Sequence, residues 1–518
     1  MPIIGVKRDK LFEALGQTYT EDEFNQLCFE YGIELDDVVR AGKALSTSEK
    51  EMLRKELAVS ASSLSSASEE VIYKIDIPAN RYDMLCLEGI ARALNIFRGR
   101  VSTPTYTLAG PHPSRGRLER IVMKPETTLV RPFIMAAVLR GVSFDPTRYN
   151  SFIDLQDKLH QNLCRQRSLA SMGTHDLATV KGPFVYDARP PSQIEFVPLK
   201  QTESFNAVDL MKHYLANDLK LRKFVPIIEK SLVYPVVLDS EERVLSLPPI
   251  INSAHSAISL ATRDVLIECT ATDRTKAQVV VNTLCAMFSE YCDRPFDVEP
   301  VEIVDAKGRM TLSPDLTPRQ MTVDVDYVNA CTGLSLGRAD MSTLLTKMQL
   351  GVLDEPAVDE LSTSLPHSAA SNTMTVSIPV TRSDVLHPCD VMEDVAIAHG
   401  YNNLPATVPT TMTMGGELAL NQMCELLRAE VAAAGFSEVL TWTLCSRDEC
   451  FGFMRRADDG TAVALANPAT AEFEVCRTSL LPAALKTLAA HRDAPLPVRL
   501  FEVSDAVVKD GSAAVGAR

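Results

Sequence analysis

Thr381-Arg-Ser-Asp-Val-Leu-His-Pro-Cys-Asp-Val-Met-Glu-Asp-Val-Ala-Ile-Ala-His-Gly-Tyr401 is the stretch on which the reading of this chain turns. Proline near its start, recurring apolar residues and Gly400 at its end predict a helix from Pro388 to His399. Four carboxylates, Asp384, Asp390, Glu393 and Asp394, fall within eleven residues. On a helix Asp390, Glu393 and Asp394 stand at i, i+3 and i+4, so they are predicted to share a face at the N-terminal turn. Asp384 lies on the loop leading in. Two readings follow. Converging oxygen ligands suit a hard cation, and acidic residues in a first turn also offset the helix macrodipole with no ligand at all.

Working outward, the same pattern occurs earlier in the chain, between Tyr73 and Ile96. Pro78, Arg81, Asp83 and Leu85 pair with Pro379, Arg382, Asp384 and Leu386 at a constant offset. After four extra residues in the second copy, Glu88 and Ala91 pair with Glu393 and Ala396. Each copy reads as a strand, a proline-bearing turn and a helix with an aliphatic stripe. Both copies carry one Asp and one Glu. The second adds Asp390 within its insertion and places Asp394 where the first has Gly89. The added charge is not demanded by a shared scaffold, so it points to a cation or a cationic partner.

With 518 residues, 46% of them hydrophobic, the chain is long enough for three or four domains with real cores. A net charge of −15 argues against non-specific nucleic-acid binding by the chain alone. Twelve cysteines without CxxC or zinc-like spacing read as reduced, buried thiols. The N-terminus has no long apolar stretch, and no apolar run approaches the roughly 18 residues of a membrane span. A soluble, cytoplasmic protein with no leader is expected.

Thr20 and Glu23 form a capping-box pattern opening a helix through Phe24, Leu27, Cys28 and Tyr31, which stops at Gly32. Ala58 to Ser68 reads as a flexible connector. Further on, Phe133 to Leu139 is strand-like, Ser151 to Gln166 an amphipathic helix, Ser256 to Thr270 strands with a turn, and Lys276 to Tyr291 a helix. Helices at Val325 to Cys331 and Met341 to Leu350, with a strand at Met374 to Ile378, suggest a winged-helix-like module, and Glu355 to Asn372 a polar loop within it. The C-terminal part reads as helix Leu418 to Ala434, strands Val439 to Cys445 and Ala462 to Ala466, helix Leu480 to His491 and strand Arg499 to Val508.

The chain resembles the β-subunit family of archaeal and eukaryotic cytosolic phenylalanyl-tRNA synthetases. Val6-Lys-Arg-Asp9, Tyr73 to Asp83, Gly173-Thr-His-Asp-Leu177, Gly182-Pro-Phe-Val-Tyr186 and Leu247-Pro-Pro-Ile-Ile-Asn252 carry the likeness. So do Phe288-Ser-Glu-Tyr-Cys292, Ala398-His-Gly-Tyr-Asn-Asn403 and Arg477-Thr-Ser-Leu-Leu-Pro482. The resemblance implies an α+β multidomain chain. Its parts would be an α/β N-terminal domain over 1–115, an α+β editing (B3/B4-like) domain over 116–295, a winged-helix-like B5 module over 300–404 and a class II synthetase-like antiparallel-sheet domain over 405–518. The last is catalytically silent and is read as incomplete, because the family continues past Arg518. The resemblance further implies an (αβ)₂ heterotetramer that joins phenylalanine to tRNA(Phe) with ATP and Mg²⁺, aminoacylation residing in the α-subunit. It implies that Asp384, Asp390, Glu393 and Asp394 match a Mg²⁺ site shared with α. Because Mg²⁺ keeps several waters, one or two direct carboxylate ligands are expected, the others pairing with basic residues or acting through water. Arg477 is read as structural or interfacial, since no acidic residue follows it.

The hydrolytic activity open to this chain is proofreading. An apolar pocket rejects an added hydroxyl only weakly, so tyrosine mistaken for phenylalanine calls for a second site. Such a site needs a polar group for the hydroxyl and a place for attacking water. Glu268, in the strand-like Val265-Leu-Ile-Glu-Cys-Thr270, is one candidate, with Leu266 and Thr270 on its face; a strand-edge salt bridge is the other reading. Asn252, Ser253 and His255 follow a Pro-Pro turn and are candidates for the same pocket, with His175 a further possibility. The alternative function is a scaffold or tRNA-binding subunit without editing activity.

Overall fold

The computed structural model describes residues 2–40, 71–111, 116–353, 372–408 and 410–518. The connector at Ala58 to Ser68 and most of the loop after Glu355 lie outside them. The chain divides into two units, Met1–Ala406 and Thr407–Arg518.

The first unit opens with β1 (Ile3–Lys7), α1 (Arg8–Leu15), α2 (Glu21–Tyr31), β2 (Glu34–Arg40), β3 (Val71–Asp76) and α3 (Leu87–Phe97). Thr20 and Glu23 make the reciprocal capping box at the start of α2, and Gly32 ends it with φ 91°. In the antiparallel sheet β1-β3-β2, Ile4 faces Ile75 and Val6 faces Tyr73. Phe12, Phe24 and Tyr73 pack beneath it.

The central part runs β4 (Thr107–Leu108), β5 (Glu119–Met123), β6 (Phe133–Leu139), α4 (Pro146–Gln161), β7 (Ala170–Asp176), β8 (Phe184–Arg189), β9 (Glu195–Phe196), β10 (Phe205–Asn206) and α5 (Ala207–Asn217). It continues with β11 (Tyr234–Leu238), β12 (Val244–Leu247), β13 (Ile251–Asn252), β14 (Val265–Ala271), α6 (Arg274–Phe288), β15 (Asp297–Val304) and β16 (Met310–Ser313). One mixed sheet takes the order β13-β12-β11-β8-β5-β15-β6-β14-β7, with β4 and β16 added alongside β15. The helix expected at Ser151 to Gln166 starts and stops earlier. Asp145 caps it from one residue before Pro146, and the left-handed residues Arg165, Gln166 and Arg167 (φ 46°, 51° and 68°) lie beyond its end. Only Ile251–Asn252 and Val265–Ala271 are strands near the predicted Ser256 to Thr270 pair, and the residues between form a loop.

The third part holds β17 (Arg319–Asp324), α7 (Val325–Thr332), α8 (Arg338–Lys347), β18 (Gly351–Leu353), β19 (Thr373–Ile378) and α9 (Pro388–His399), with sheet order β17-β19-β18. Val323, Val328, Leu345, Val376, Val391 and Val395 fill its core. The predicted span of α9 holds from end to end.

The second unit contains α10 (Ala419–Ala433), β20 (Ser437–Glu438), β21 (Leu444–Cys445), α11 (Arg447–Cys450), β22 (Val475–Cys476), α12 (Leu481–Ala490) and β23 (Leu500–Phe501). Its strands are far shorter than expected. β20 pairs with β23 in parallel, β21 with β22 antiparallel, and Ala462 and Ala464 form only isolated bridges. The small core of Cys445, Cys450, Phe451, Ala462 and Val475 accounts for this, because little apolar surface is buried to hold longer ladders. Among the described residues no helix is long and apolar enough to cross a membrane.

Candidate functional site

The central sheet curls until its two ends come together. Ser246 of β12 donates from Oγ to Glu268 Oε1 of β14 at 2.7 Å, joining strands from opposite ends of the sheet order. A cavity of about 190 Å³ opens there, lined by one face of α4 (Tyr149, Ile153, Gln156, His160), by the Pro248 to Asn252 turn and by Glu268.

Glu268 is 1% exposed, and the residue paired with it across β14 and β7 is Gly173. A methyl group built on Gly173 would lie 2.5 Å from Glu268 Oε1, 2.9 Å from His175 Nε2 and 3.1 Å from Asn252 Oδ1. Glycine therefore keeps these three groups apart with nothing between them. Glu268 forms no edge salt bridge: β14 is flanked by β6 and β7, and among the described residues no Lys or Arg reaches the carboxylate. His175 Nε2 stands 3.8 Å away, too far for a hydrogen bond, while its Nδ1 pairs with Ser256 Oγ at 2.9 Å. Glu268 Oε2 and His175 Nε2 are buried without partners among the described residues. Burying a carboxylate with an unfilled oxygen is costly.

The other editing candidates separate. Asn252 lines the cavity; Ser253, His255 and Thr270 do not. Ser253 Oγ lies 2.8 Å from His255 Nδ1 and donates to the Val197 carbonyl, tying down the turn. Thr270 receives the buried Arg131 at its hydroxyl and carbonyl, and the same guanidinium donates to the Arg167 and Ser168 carbonyls. Thus Thr270 supports the left-handed turn rather than touching the cavity. Arg167, held on that turn, donates to the Pro249 and Ile250 carbonyls and lies 4.3 Å over the Phe224 ring. No carboxylate pairs with it among the described residues. Gln156, His160, Arg167, Gly173 and Ser246 escaped the sequence reading. The available signal was Gln156 and His160 at i and i+4 among the buried Phe152, Leu155 and Leu159 of α4.

The acidic cluster is arranged differently from its sequence. Arg382, 2% exposed, donates to Asp384 at 2.8 Å and Asp394 at 2.7 Å, and to the Met348 carbonyl at 2.5 Å. Asp390 turns back, and its Oδ2 accepts from the Leu386 and His387 N–H groups at 2.7 and 2.8 Å. Asp394 is buried while Glu393 is exposed, so the shared face expected of Asp390, Glu393 and Asp394 is not formed. Burial pushes Asp394 up to about 6, against the pull of Arg382 and Arg81. Burial likewise acts on Asp384, but Arg382 prevails and holds it below the usual carboxylate range. An arginine thus pairs with two of the four carboxylates, and a third caps the helix. Among the described residues no three His, Cys, Asp or Glu side chains gather as a metal site.

Arg477 is 2% exposed, pairing with Glu502 at 2.9 Å and donating to the Asp505 carbonyl, Thr441 and Ser504. It is a structural arginine within its unit.

Four family models match in sequence along the chain. They are the Phe-tRNA synthetase beta subunit B1 domain over residues 1–100, the B3/4 domain over 116–297, the tRNA synthetase B5 domain over 321–401 and the phenylalanyl tRNA synthetase beta chain CLM domain over 404–518. The cytoplasmic phenylalanine–tRNA ligase beta subunit of Arabidopsis thaliana is 50% identical over 517 residues, spanning 100% of this chain and 82% of that protein. The chain belongs to the phenylalanine–tRNA ligase β-subunit family. The Homo sapiens phenylalanine–tRNA ligase beta subunit is 46% identical, across 100% of this chain and 84% of its own length. An N-terminal fragment of the phenylalanyl-tRNA synthetase beta-subunit from Pyrococcus horikoshii shares the fold, with a TM-score of 0.63 at 24% identity, covering 77% of this chain and 99% of that one. In this family frame, the cavity at the meeting sheet ends lies inside the span matched by the B3/4 model.

Proposed function

We propose that this chain is the β-subunit of a cytoplasmic phenylalanine–tRNA ligase and that its central cavity hydrolyses Tyr-tRNA(Phe). An α-subunit joins phenylalanine to tRNA(Phe) with ATP, and the working assembly is an (αβ)₂ heterotetramer. The 300–404 part acts as a winged-helix-like module, and the C-terminal unit as a catalytically silent class II-like domain that docks α. The apolar face of α10 supports this docking: Leu420, Met423 and Leu427 are exposed, and no residue of that helix is buried. Mg²⁺ enters the reaction with ATP; one or two of Asp384, Asp390, Glu393 and Asp394 would ligate it directly, in a site shared with α.

One observation carries the editing role: Glu268 is buried beside a cavity with an oxygen no protein group satisfies. That oxygen suits the phenolic O–H of tyrosine. A phenylalanyl group would leave it unpaired, which is the asymmetry that gives strong discrimination. Water adds to the ester carbonyl carbon, the bond from that carbon to the ribose oxygen breaks, and the ribose oxygen takes a proton. Free tyrosine and uncharged tRNA leave. Asn252 lines the same cavity. The test is deacylation of Tyr-tRNA(Phe) by the αβ complex. Glu268→Gln is expected to slow it by about 10- to 100-fold, in line with one buried hydrogen bond to a charged group, with phenylalanine charging as the control for assembly. Equal deacylation by the variant refutes the assignment of Glu268. A complex that deacylates nothing leaves the scaffold reading in its place.

A further inference from the structure

Resting on the editing reading above, the geometry points to His160 as a permanently neutral hydrogen-bond donor to the ester carbonyl oxygen in the cavity. β7 is the free edge of its sheet, so alternate N–H groups point outward, away from β14. The Asp176 N–H is taken by the Ser256 carbonyl at 2.9 Å, and the Met172 N–H by His160 Nε2 at 3.0 Å. An imidazole nitrogen that accepts from a backbone N–H carries a lone pair, so the proton of the neutral ring sits on Nδ1. A charged ring would set two N–H groups against each other at Nε2. Burial, reinforced by Arg167 and Arg131, also pushes the His160 pKa well below its usual value. Histidine is thereby deprived of the acid–base role it commonly serves.

What remains is the Nδ1–H. It is buried and has no partner, although His160 lines the cavity and is 6% exposed. Gln156, one helical turn away, shows the same condition: its Oε1 is 3.5 Å from Thr174 Oγ1, and its Nε2 is unpartnered. The α4 wall thus presents donors, whereas Glu268 presents an acceptor. A tyrosyl ester carries one group of each kind to match, the phenolic O–H for Glu268 and the carbonyl oxygen for the donors. As water adds to the carbonyl carbon, the C=O electron pair moves onto that oxygen. A neutral donor stabilises this oxyanion without transferring a proton to it. When the oxyanion collapses, the C–O bond to the ribose breaks, the ribose oxygen leaves with a proton given up by the attacking water, and the carbonyl is restored in tyrosine.

The experiment is single-turnover deacylation of Tyr-tRNA(Phe) by the αβ complex, carrying wild type, His160→Leu or His160→Asn. Loss of an oxyanion donor typically lowers kcat by about 10²- to 10³-fold, and that loss is expected for His160→Leu with KM little changed. His160→Asn, which returns an N–H near the Nδ1 position, is expected to recover most of the rate. The wild-type pH profile should show no limb that disappears in His160→Asn. Equal rates for wild type and His160→Leu overturn the inference, as does a limb traced to His160. If His160→Leu fails to assemble, His160→Asn and the pH profile decide alone. A wild-type complex without deacylase activity refutes the underlying site reading, an outcome distinct from either.

Discussion

The two copies of the repeat keep one turn and diverge in the helix that follows. In the first, Arg81 grips Asp83 at 2.8 and 2.9 Å and also reaches the Tyr31 hydroxyl. In the second, Arg382 grips Asp384 in the same way and adds Asp394. Both helices start four residues after the shared aspartate, at Leu87 and at Pro388. The four-residue insertion therefore falls within the helices, which are nonetheless 11 and 12 residues long. Counted from the helix start, Gly89 corresponds to Asp390, and Asp394 lies one turn deeper. A Cβ on Gly89 would stand 1.8 Å from the Asp83 carbonyl oxygen, so the first copy has no room for a side chain where the second places its capping carboxylate. The aligned glutamates differ as well. Glu88 is buried and accepts from Ser151 and Tyr291, whereas Glu393 is exposed. The copies thus share the turn and differ in the charge carried by the helix behind it.

Making the first copy resemble the second is the most severe way to break this comparison. Gly89→Asp forces a backbone shift and is expected to remove about 5 kcal/mol or more, seen as loss of soluble chain; a folded variant with a wild-type melting curve would show that the contact is not real. Next is Arg382→Met. It leaves Asp384 and Asp394 buried without their cation, a situation that costs about 3–5 kcal/mol by denaturant unfolding, and the loss should be equal in EDTA and in Mg²⁺. Restoration by Mg²⁺ would mean that a cation can take the place of the guanidinium.

A smaller effect separates the two glutamates. Burial raises the Glu88 pKa, with the hydrogen bonds from Ser151 and Tyr291 offsetting it only in part. Its folded value therefore exceeds its unfolded one. Stability is fully present below the usual carboxyl range and declines as the pH rises through the raised value, because the unfolded chain releases its proton first. Glu88→Gln should flatten that decline above the usual carboxyl range, measured by urea midpoints. Glu393→Gln should leave the midpoints within about 0.5 kcal/mol of wild type at every pH.

The helix over Pro388 to His399 was legible in sequence because proline, aliphatic period and glycine all agreed. Its side-chain directions were not, since i, i+3 and i+4 spacing does not tell which residue an arginine twelve positions upstream will draw inward. The capping box at Thr20 and Glu23 was equally plain, being a purely local signal. The C-terminal strands were overextended, because alternation marks a face that could be buried and not how much core exists to bury it. Glu268 stood out as a charge in an apolar strand. Its neighbours could not be found: Gly173 reaches it through a strand pairing distant in sequence, and Ser246 only when strands from opposite ends of the sheet meet.

That meeting of sheet ends has a consequence for synthesis. Gly173 lies far earlier in the chain than Ser246, Asn252 and Glu268, and the four share a wall only after the central sheet has closed. Contacts of such long sequence separation form late. A nascent or half-folded subunit thus lacks the assembled cavity, and any hydrolysis proposed for it begins only on completion.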